Sequence, residues 1–306
     1  MVTVLEVIQR STDFLAKKGV DSPRLQAELL LAHVMKVPRM QLYLNFERTL
    51  TPAEQDRFRE FVKRRGQREP LQHIVGSTCF CGLEISVNPH VLIPRPETEL
   101  LAEQGWIFLN ERLGTGSETL PHQGTGASTK PHEKLAPTAL DFGTGSGCLA
   151  IALAVKCPTA HIVALDCSPE ALDVARKNAA QHDLLERISF VMGDGFSCLA
   201  KETALDLIVA NPPYIPSTEI DSLQPEVRNH DPRRALDGGP DGLEFYRRLS
   251  SEAGRFLKPE GRVMVEFGDG QEAAIAGLFQ KENWVVERML QDYTQRPRIL
   301  IARRTL

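Results

Sequence analysis

Apolar residues recur at three- and four-residue spacing through residues 3–69 and then change to shorter, strand-like periods. Pro23 follows Asp21 and Ser22 as a cap and first-turn pair, and Leu25, Leu29, Leu30, His33 and Val34 continue at helical spacing. Thr51-Pro52-Ala53-Glu54 is a capping box with proline at the first helical position, opening a charged helix that carries Phe58, Phe61 and Val62. These elements predict a small all-helical domain over residues 1–75. Residues 79–93, CFCGLEISVNPHVLI, turn around Gly82 and Asn88-Pro89 and predict a β-hairpin linker over 76–95. A helix is expected from Pro96 or Glu97 to about Arg112. Residues 113–134, LGTGSETLPHQGTGASTKPHEK, hold almost nothing to bury, so they predict a flexible surface loop.

Beyond Ala136 the pattern alternates. Apolar runs near 137–142, 161–166, 187–192, 205–210, 262–267, 284–290 and 298–303 are separated by helical segments in the earlier pairs and by a hairpin-like turn at the last. This predicts an α/β, Rossmann-like domain over 96–306, a seven-stranded sheet with an antiparallel end, whose ligands sit at the carboxyl ends of the strands.

Composition narrows the function classes. The 306 residues are 42% hydrophobic and 25% charged, and no apolar run approaches the roughly 20 residues that cross a bilayer. The N-terminus interrupts its apolar residues with Glu6, Gln9 and Arg10, unlike a secretory signal, so a cytoplasmic protein is expected, and a monomer. The six cysteines include no C-x-x-C pair and read as free thiols, and the eight histidines show no ligand spacing, so no metal site is expected. A net charge of −4 argues against gripping a long duplex through many phosphates. The basic run Lys63, Arg64, Arg65 and Arg68 reads as a solvated helix end whose cations offset the helix dipole.

The chemistry sits at strand ends. TALDF leads into Asp141-Phe142-Gly143-Thr144-Gly145-Ser146-Gly147, then the apolar helix CLAIALAVK. Three glycines allow a tight turn and close approach to a ligand, beside free N–H donors of a helix start. A dinucleotide fingerprint requires glycine at 148, where this chain has Cys148, so the spacing favours S-adenosylmethionine over NAD. HIVALD ends in Asp166, about twenty residues on, where a carboxylate can accept from both ribose hydroxyls. Asp194, in Gly193-Asp194-Gly195-Phe196, could accept from an adenine amino group, with Phe196 against the ring. LDLIVA ends in Asn211-Pro212-Pro213-Tyr214. The prolines hold the chain extended and free nearby carbonyls for a guest. The Asn211 side-chain oxygen and the Pro212 carbonyl can then accept the two N–H donors of a planar NH₂ group, with Tyr214 stacked on it. Polarising both hydrogens returns electron density to nitrogen and aims it at a methyl carbon.

Several segments carry a resemblance as well: EPLQHIVG at Glu69, LIPRPETE at Leu92, DFGTGSG at Asp141, NPPY at Asn211, ALDGGPDGLEFYRRL at Ala235 and DYTQRPR at Asp292. In these the chain resembles the HemK/PrmC family, protein-(glutamine-N5) methyltransferases that modify class 1 peptide chain release factors. Asn-Pro-Pro-Tyr alone is shared with adenine-N6 DNA and guanine-N2 RNA methyltransferases, whereas Pro94-Arg95-Pro96-Glu97-Thr98 with a helical front is far more specific. The resemblance implies that the helical domain helps recognise the release factor and that the acceptor is the glutamine of its Gly-Gly-Gln loop. It also implies that Asn211 and Pro212 hold that amide, with Pro213, Tyr214 and Arg95 in the substrate site. Asp141, Gly143 to Gly147 and Asp166 would bind the cofactor, and the residue beside Asp194 would line the adenine. Here that residue is Gly195, where similar proteins often carry a larger side chain. The loop at 113–134 also looks longer than the family needs.

Overall fold

The computed structural model describes residues 2–114 and 136–305. Five helices open the chain: α1 (Val4–Lys17), α2 (Pro23–Met35), α3 (Arg39–Leu44), α4 (Pro52–Gly66) and α5 (Leu71–Val75). Glu54 accepts from the Thr51 N–H at 2.8 Å while Thr51 Oγ1 accepts from the Glu54 N–H at 3.3 Å, the reciprocal bonds of a capping box. Ser22 does not cap: its backbone is left-handed at φ 47°, its side chain makes no bond to the helix start, and Pro23 alone marks it. Leu15, Leu30, Leu31, Leu42 and Phe58 close the core of this unit.

The first compact unit comprises Met1–Thr78, Val87–Pro89 and Asp221–Asp231. Its basic run departs from the expected solvated helix end. Arg65 is buried and donates to Glu226 at 3.0 Å, Arg68 grips the same carboxylate through two nitrogens at 2.6 Å, and Arg64 pairs with Glu69. A buried guanidinium requires such partners, and Glu226 arrives from a segment that the sequence pattern does not tie to the helices.

The second unit comprises Cys79–Ser86, His90–Ile220 and Pro232–Leu306. Strands β1 (Ser77–Phe80) and β2 (Leu83–Ser86) form a two-stranded sheet. Past Ser86 the Val87 N–H still donates to the Gly76 carbonyl at 3.0 Å, but no strand continues; Pro89 and Pro94 lack the N–H a ladder needs, and Val87, Val91 and Ile93 are buried without strand structure. Helix α6 (Pro96–Gly114) follows, reaching two residues past Arg112. The loop expected at 113–134 lies from residue 115 onward outside the described residues.

The rest is β3 (Thr138–Phe142), α7 (Cys148–Lys156), β4 (His161–Asp166), α8 (Pro169–Gln181), β5 (Ile188–Met192), β6 (Leu205–Ala210), α9 (Pro225–Arg228, within the first unit), α10 (Glu244–Glu252), β7 (Leu257–Glu266), α11 (Glu272–Lys281), β8 (Trp284–Gln291) and β9 (Pro297–Arg304). Seven strands make one sheet in the order β5-β4-β3-β6-β7-β9-β8, parallel except for β9, which runs antiparallel to β7 and β8. This is the expected doubly wound sheet with an antiparallel end. Every residue of β6 is buried, as a strand covered on both faces must be. β7 starts five residues before the apolar run at 262 suggests: Leu257 pairs with Leu205, and Lys258-Pro259-Glu260-Gly261, with Glu260 at φ 63°, interrupts the apolar pattern before pairing resumes at Arg262. Ala210 pairs with Val265, so the next residues, Asn211 and Glu266, emerge together at the carboxyl edge of the sheet. Cys148 and Cys157 are buried free thiols, while Cys79 and Cys167 are exposed. No helix among the described residues is long and apolar enough to cross a membrane.

Candidate functional site

The turn after β3 is shaped by backbone that side chains tolerate poorly. Gly143, Gly145 and Gly147 have φ of 79°, 53° and 81°, all left-handed. At Gly143 and Gly145 no heavy atom lies within 4 Å of where a Cβ would stand, so the loop backbone opens onto space. At Gly147 a Cβ would come within 3.0 Å of the Ala175 Cβ; this glycine lets α7 and α8 approach. Asp141 lies beneath the loop, fully buried, and one oxygen accepts from the Thr144 hydroxyl at 2.6 Å and the Ala150 N–H at 3.1 Å. Its other oxygen has no hydrogen-bond partner among the described residues. Burial pushes this carboxyl up to about 7 against the pull of those two bonds.

A cavity at the carboxyl edge of the sheet is walled by Gly143 to Ser146, Asp166, Gly193 to Gly195, Asn211 and Pro213, together with Arg95 and Thr98. Asp166 braces the loop: its oxygens accept from the Gly145 N–H at 2.8 Å and the Ser168 N–H at 2.9 Å, and their remaining lone pairs face a guest. A nucleoside-bearing cofactor fits this wall, because the unobstructed loop backbone and a ribose-competent carboxylate adjoin. Ser168 caps α8, accepting from the Ala171 N–H at 3.2 Å, so Asp166 is not the cap.

Other sequence-derived candidates lie elsewhere. Asp141 and Gly147 support the loop without lining the cavity. Phe196 belongs to the core: it is 1% exposed and stacks between Phe142 and Phe256 at centroid separations of 5.0 and 5.3 Å, so it is not on the cavity wall. Pro212 is buried, and Tyr214 packs against the core with its carbonyl accepting from Gln271 at 2.9 Å; neither lines the cavity. Burial, with the Glu266 carboxylate nearby, pushes the Tyr214 phenol up to about 12.

Asp194 is engaged on the surface, accepting from Arg248 at 2.8 Å with its side chain 76% exposed. A Cβ on Gly195, at φ 85°, would stand 2.1 Å from that guanidinium. Arg248 therefore occupies the space that a larger residue at 195 would take.

Two residues absent from the sequence-derived site join it. Asn211 Nδ2 donates to Thr98 Oγ1 at 3.0 Å, which leaves the Asn211 side-chain oxygen as an acceptor. Thr98, 2% exposed, is hydrogen-bonded in turn to Glu266. Burial pushes Glu266 up to about 7, with the Thr98 bond opposing. Thr98 lies inside the LIPRPETE segment, and Glu266 ends a strand next to the one bearing Asn211; only the strand order brings them together. The arrangement sets the Asn211 amide acceptor at the cavity wall beside a loop suited to a nucleoside, where it can receive one N–H of a planar nitrogen group.

Known proteins bear on this arrangement. The PrmC N-terminal domain model matches residues 6–76, and the methyltransferase small domain model matches residues 100–225. A release factor glutamine methyltransferase of Geobacter sulfurreducens is 41% identical over 279 residues, covering 91% of this chain and 89% of its own. One from Chlorobaculum tepidum is 40% identical over 297 residues, covering 96% and 94%. Among solved structures, the hMettl16 catalytic domain in complex with MAT2A 3'UTR hairpin 6 superposes with a TM-score of 0.51 at 16% identity, covering 81% of this chain and 80% of that one; the likeness is one of fold. By identity over nearly its whole length, the chain belongs to the release factor glutamine methyltransferase family.

Proposed function

We propose that the protein transfers a methyl group from S-adenosylmethionine to the side-chain amide nitrogen of the glutamine in the Gly-Gly-Gln loop of class 1 peptide chain release factors, in the cytoplasm. The observation that carries this reading is the Asn211 amide, whose N–H is committed to Thr98 and whose oxygen is thereby left for a guest at the cavity wall. The acceptor's identity rests on the 41% identical relative, named as a release factor glutamine methyltransferase.

When bound, S-adenosylmethionine supplies an electrophilic methyl on a sulfonium. Gly143 to Ser146 would lie along it, and Asp166 would accept from its ribose hydroxyls. Asp194 and Gly195 would border the adenine, with Arg248 closing that edge. Asn211 accepts one N–H of the glutamine amide, while Pro213 and Arg95 border the entering loop; the Pro212 carbonyl, off the cavity wall, is not assigned the second N–H. Accepting that hydrogen raises the electron density on a nitrogen whose lone pair is otherwise delocalised, and restricts its line of approach. The helical residues 1–75 are the region we assign to release-factor recognition.

The test incubates purified protein with methyl-labelled S-adenosylmethionine and either intact release factor, its loop Gln-to-Ala variant, or DNA. Label is expected in intact release factor alone. Equal label in the loop variant, or label in DNA, refutes the assignment.

A further inference from the structure

We infer that Thr98 and Glu266 are positioning residues that lock the Asn211 amide in the one orientation able to receive the acceptor nitrogen. The inference rests on the proposed role of Asn211 and extends it to two residues that do not hold the guest.

A threonine hydroxyl has one proton to give and lone pairs to receive with. Glu266 Oε2 has no partner among the described residues, so Oε1 is the oxygen bonded to Thr98. As a carboxylate, or with its proton on the unpartnered Oε2, Glu266 takes the hydroxyl proton at Oε1, which leaves only a lone pair facing Asn211. That lone pair accepts Asn211 Nδ2 at 3.0 Å. If the amide turned over, its oxygen would face another acceptor, and its NH₂ would point into the cavity at the N–H groups of the substrate. The direction of the whole chain, from Asn211 to Thr98 to Glu266, therefore decides whether position 211 presents an acceptor or a donor. Thr98 is 2% exposed and Glu266 2%, so water does not compete for these bonds. Each member comes from a different element, the first turn of α6, the end of β6 and the end of β7, so packing of the sheet and helix holds the spacing.

The experiment compares Thr98→Val, of the same shape without the hydroxyl, with Thr98→Ser, which retains it, using intact release factor and saturating S-adenosylmethionine. Thr98→Val is expected to lower kcat by about 10- to 100-fold, the range for loss of one orienting buried hydrogen bond, with S-adenosylmethionine affinity by calorimetry unchanged. Thr98→Ser recovers most of that loss, and Thr98→Ala, should Val prevent folding, repeats it. In the pair Thr98→Val with Asn211→Ala, kcat falls no further than in Asn211→Ala alone, because both disable the same acceptor. Wild-type kcat in Thr98→Val, a Ser variant as impaired as Val, or additive losses in the pair each overturn the relay. If Asn211→Ala itself keeps full transfer, the reading of Asn211 as the grip has failed instead.

Discussion

The ends of β3 and β7 present the same arrangement twice. Asp141 and Glu266 are both buried carboxyls, both bonded to a threonine hydroxyl, each with one oxygen lacking a partner among the described residues, and both pushed up to about 7 by burial. They differ in where the threonine comes from. Thr144 belongs to the loop that follows Asp141 in sequence, so that carboxyl shapes the glycine-loop backbone at the end of the cavity we assign to the cofactor. Thr98 comes from α6 and receives the Asn211 side chain, so Glu266 stands behind the end of the cavity we assign to the acceptor. One chemical unit thus serves as a local brace in one place and a long-range orienting chain in the other.

The comparison is broken most severely at Asp141. Asp141→Ala strands the Thr144 hydroxyl and the Ala150 N–H in a dry site, and should destabilise the fold by on the order of 3 kcal/mol, measured by urea denaturation. S-adenosylmethionine affinity should fall with it, by at least about a hundredfold, as the glycine loop loses its brace. A variant of normal stability and affinity would mean that Asp141 does not hold the loop.

The next effect is on pH dependence. A carboxyl raised to about 7 in the fold binds its proton more tightly there than when unfolded, so its contribution is fully present below the unfolded value near 4.5 and is lost as pH rises through 7. Glu97 pushes the same way as burial, and Arg95 and Arg298 oppose it. Glu266→Gln removes the titration. Between pH 5 and 8 the variant should therefore gain on the order of 2 kcal/mol in unfolding free energy relative to wild type. A difference independent of pH would show that Glu266 does not titrate in this window.

Thr144→Val then sharpens the division of labour. It should weaken S-adenosylmethionine binding by about tenfold while leaving kcat at saturation nearly unchanged, the reverse of the pattern expected for Thr98→Val. If both variants lower kcat alike, the two threonines do not serve separate ends of the cavity.

What the sequence made legible follows the same line. The glycine turn, Asp166 after the next strand and Asn211 after the fourth are each marked by residues adjacent in the chain, and the strand periodicity carried the order of elements. Thr98 lies in a segment that the resemblance marks, but nothing along the chain ties it to Glu266; their partnership exists only because β7 lies next to β6 and α6 packs against both. Phe196 follows Asp194 closely enough to suggest ring contact, yet its side chain turns inward to complete a row of three aromatic rings. Glu226 is likewise silent in sequence, because nothing local connects it to Arg65 and Arg68. Chemistry read along the chain is found early, and chemistry assembled across the sheet is not.

The smallest effect belongs to the edge of the cavity at Asp194 and Gly195, where we propose that the adenine lies. Arg248 covers Gly195 and holds Asp194, but the Asp194 side chain is 76% exposed, so solvent screens the pair and the fold gains little from it. Arg248→Ala should leave the denaturation midpoint unchanged within error. Its effect should appear in S-adenosylmethionine affinity, a loss of about two- to fivefold, as the guanidinium that fills the space above Gly195 is removed. Gly195→Ala tests the same space from the other side: a Cβ there displaces the mobile end of Arg248 but must also adopt φ 85°, so it should weaken binding more than Arg248→Ala. If Arg248→Ala binds S-adenosylmethionine as tightly as wild type, Arg248 has no part in the cofactor site, and Gly195 leaves that edge open to solvent.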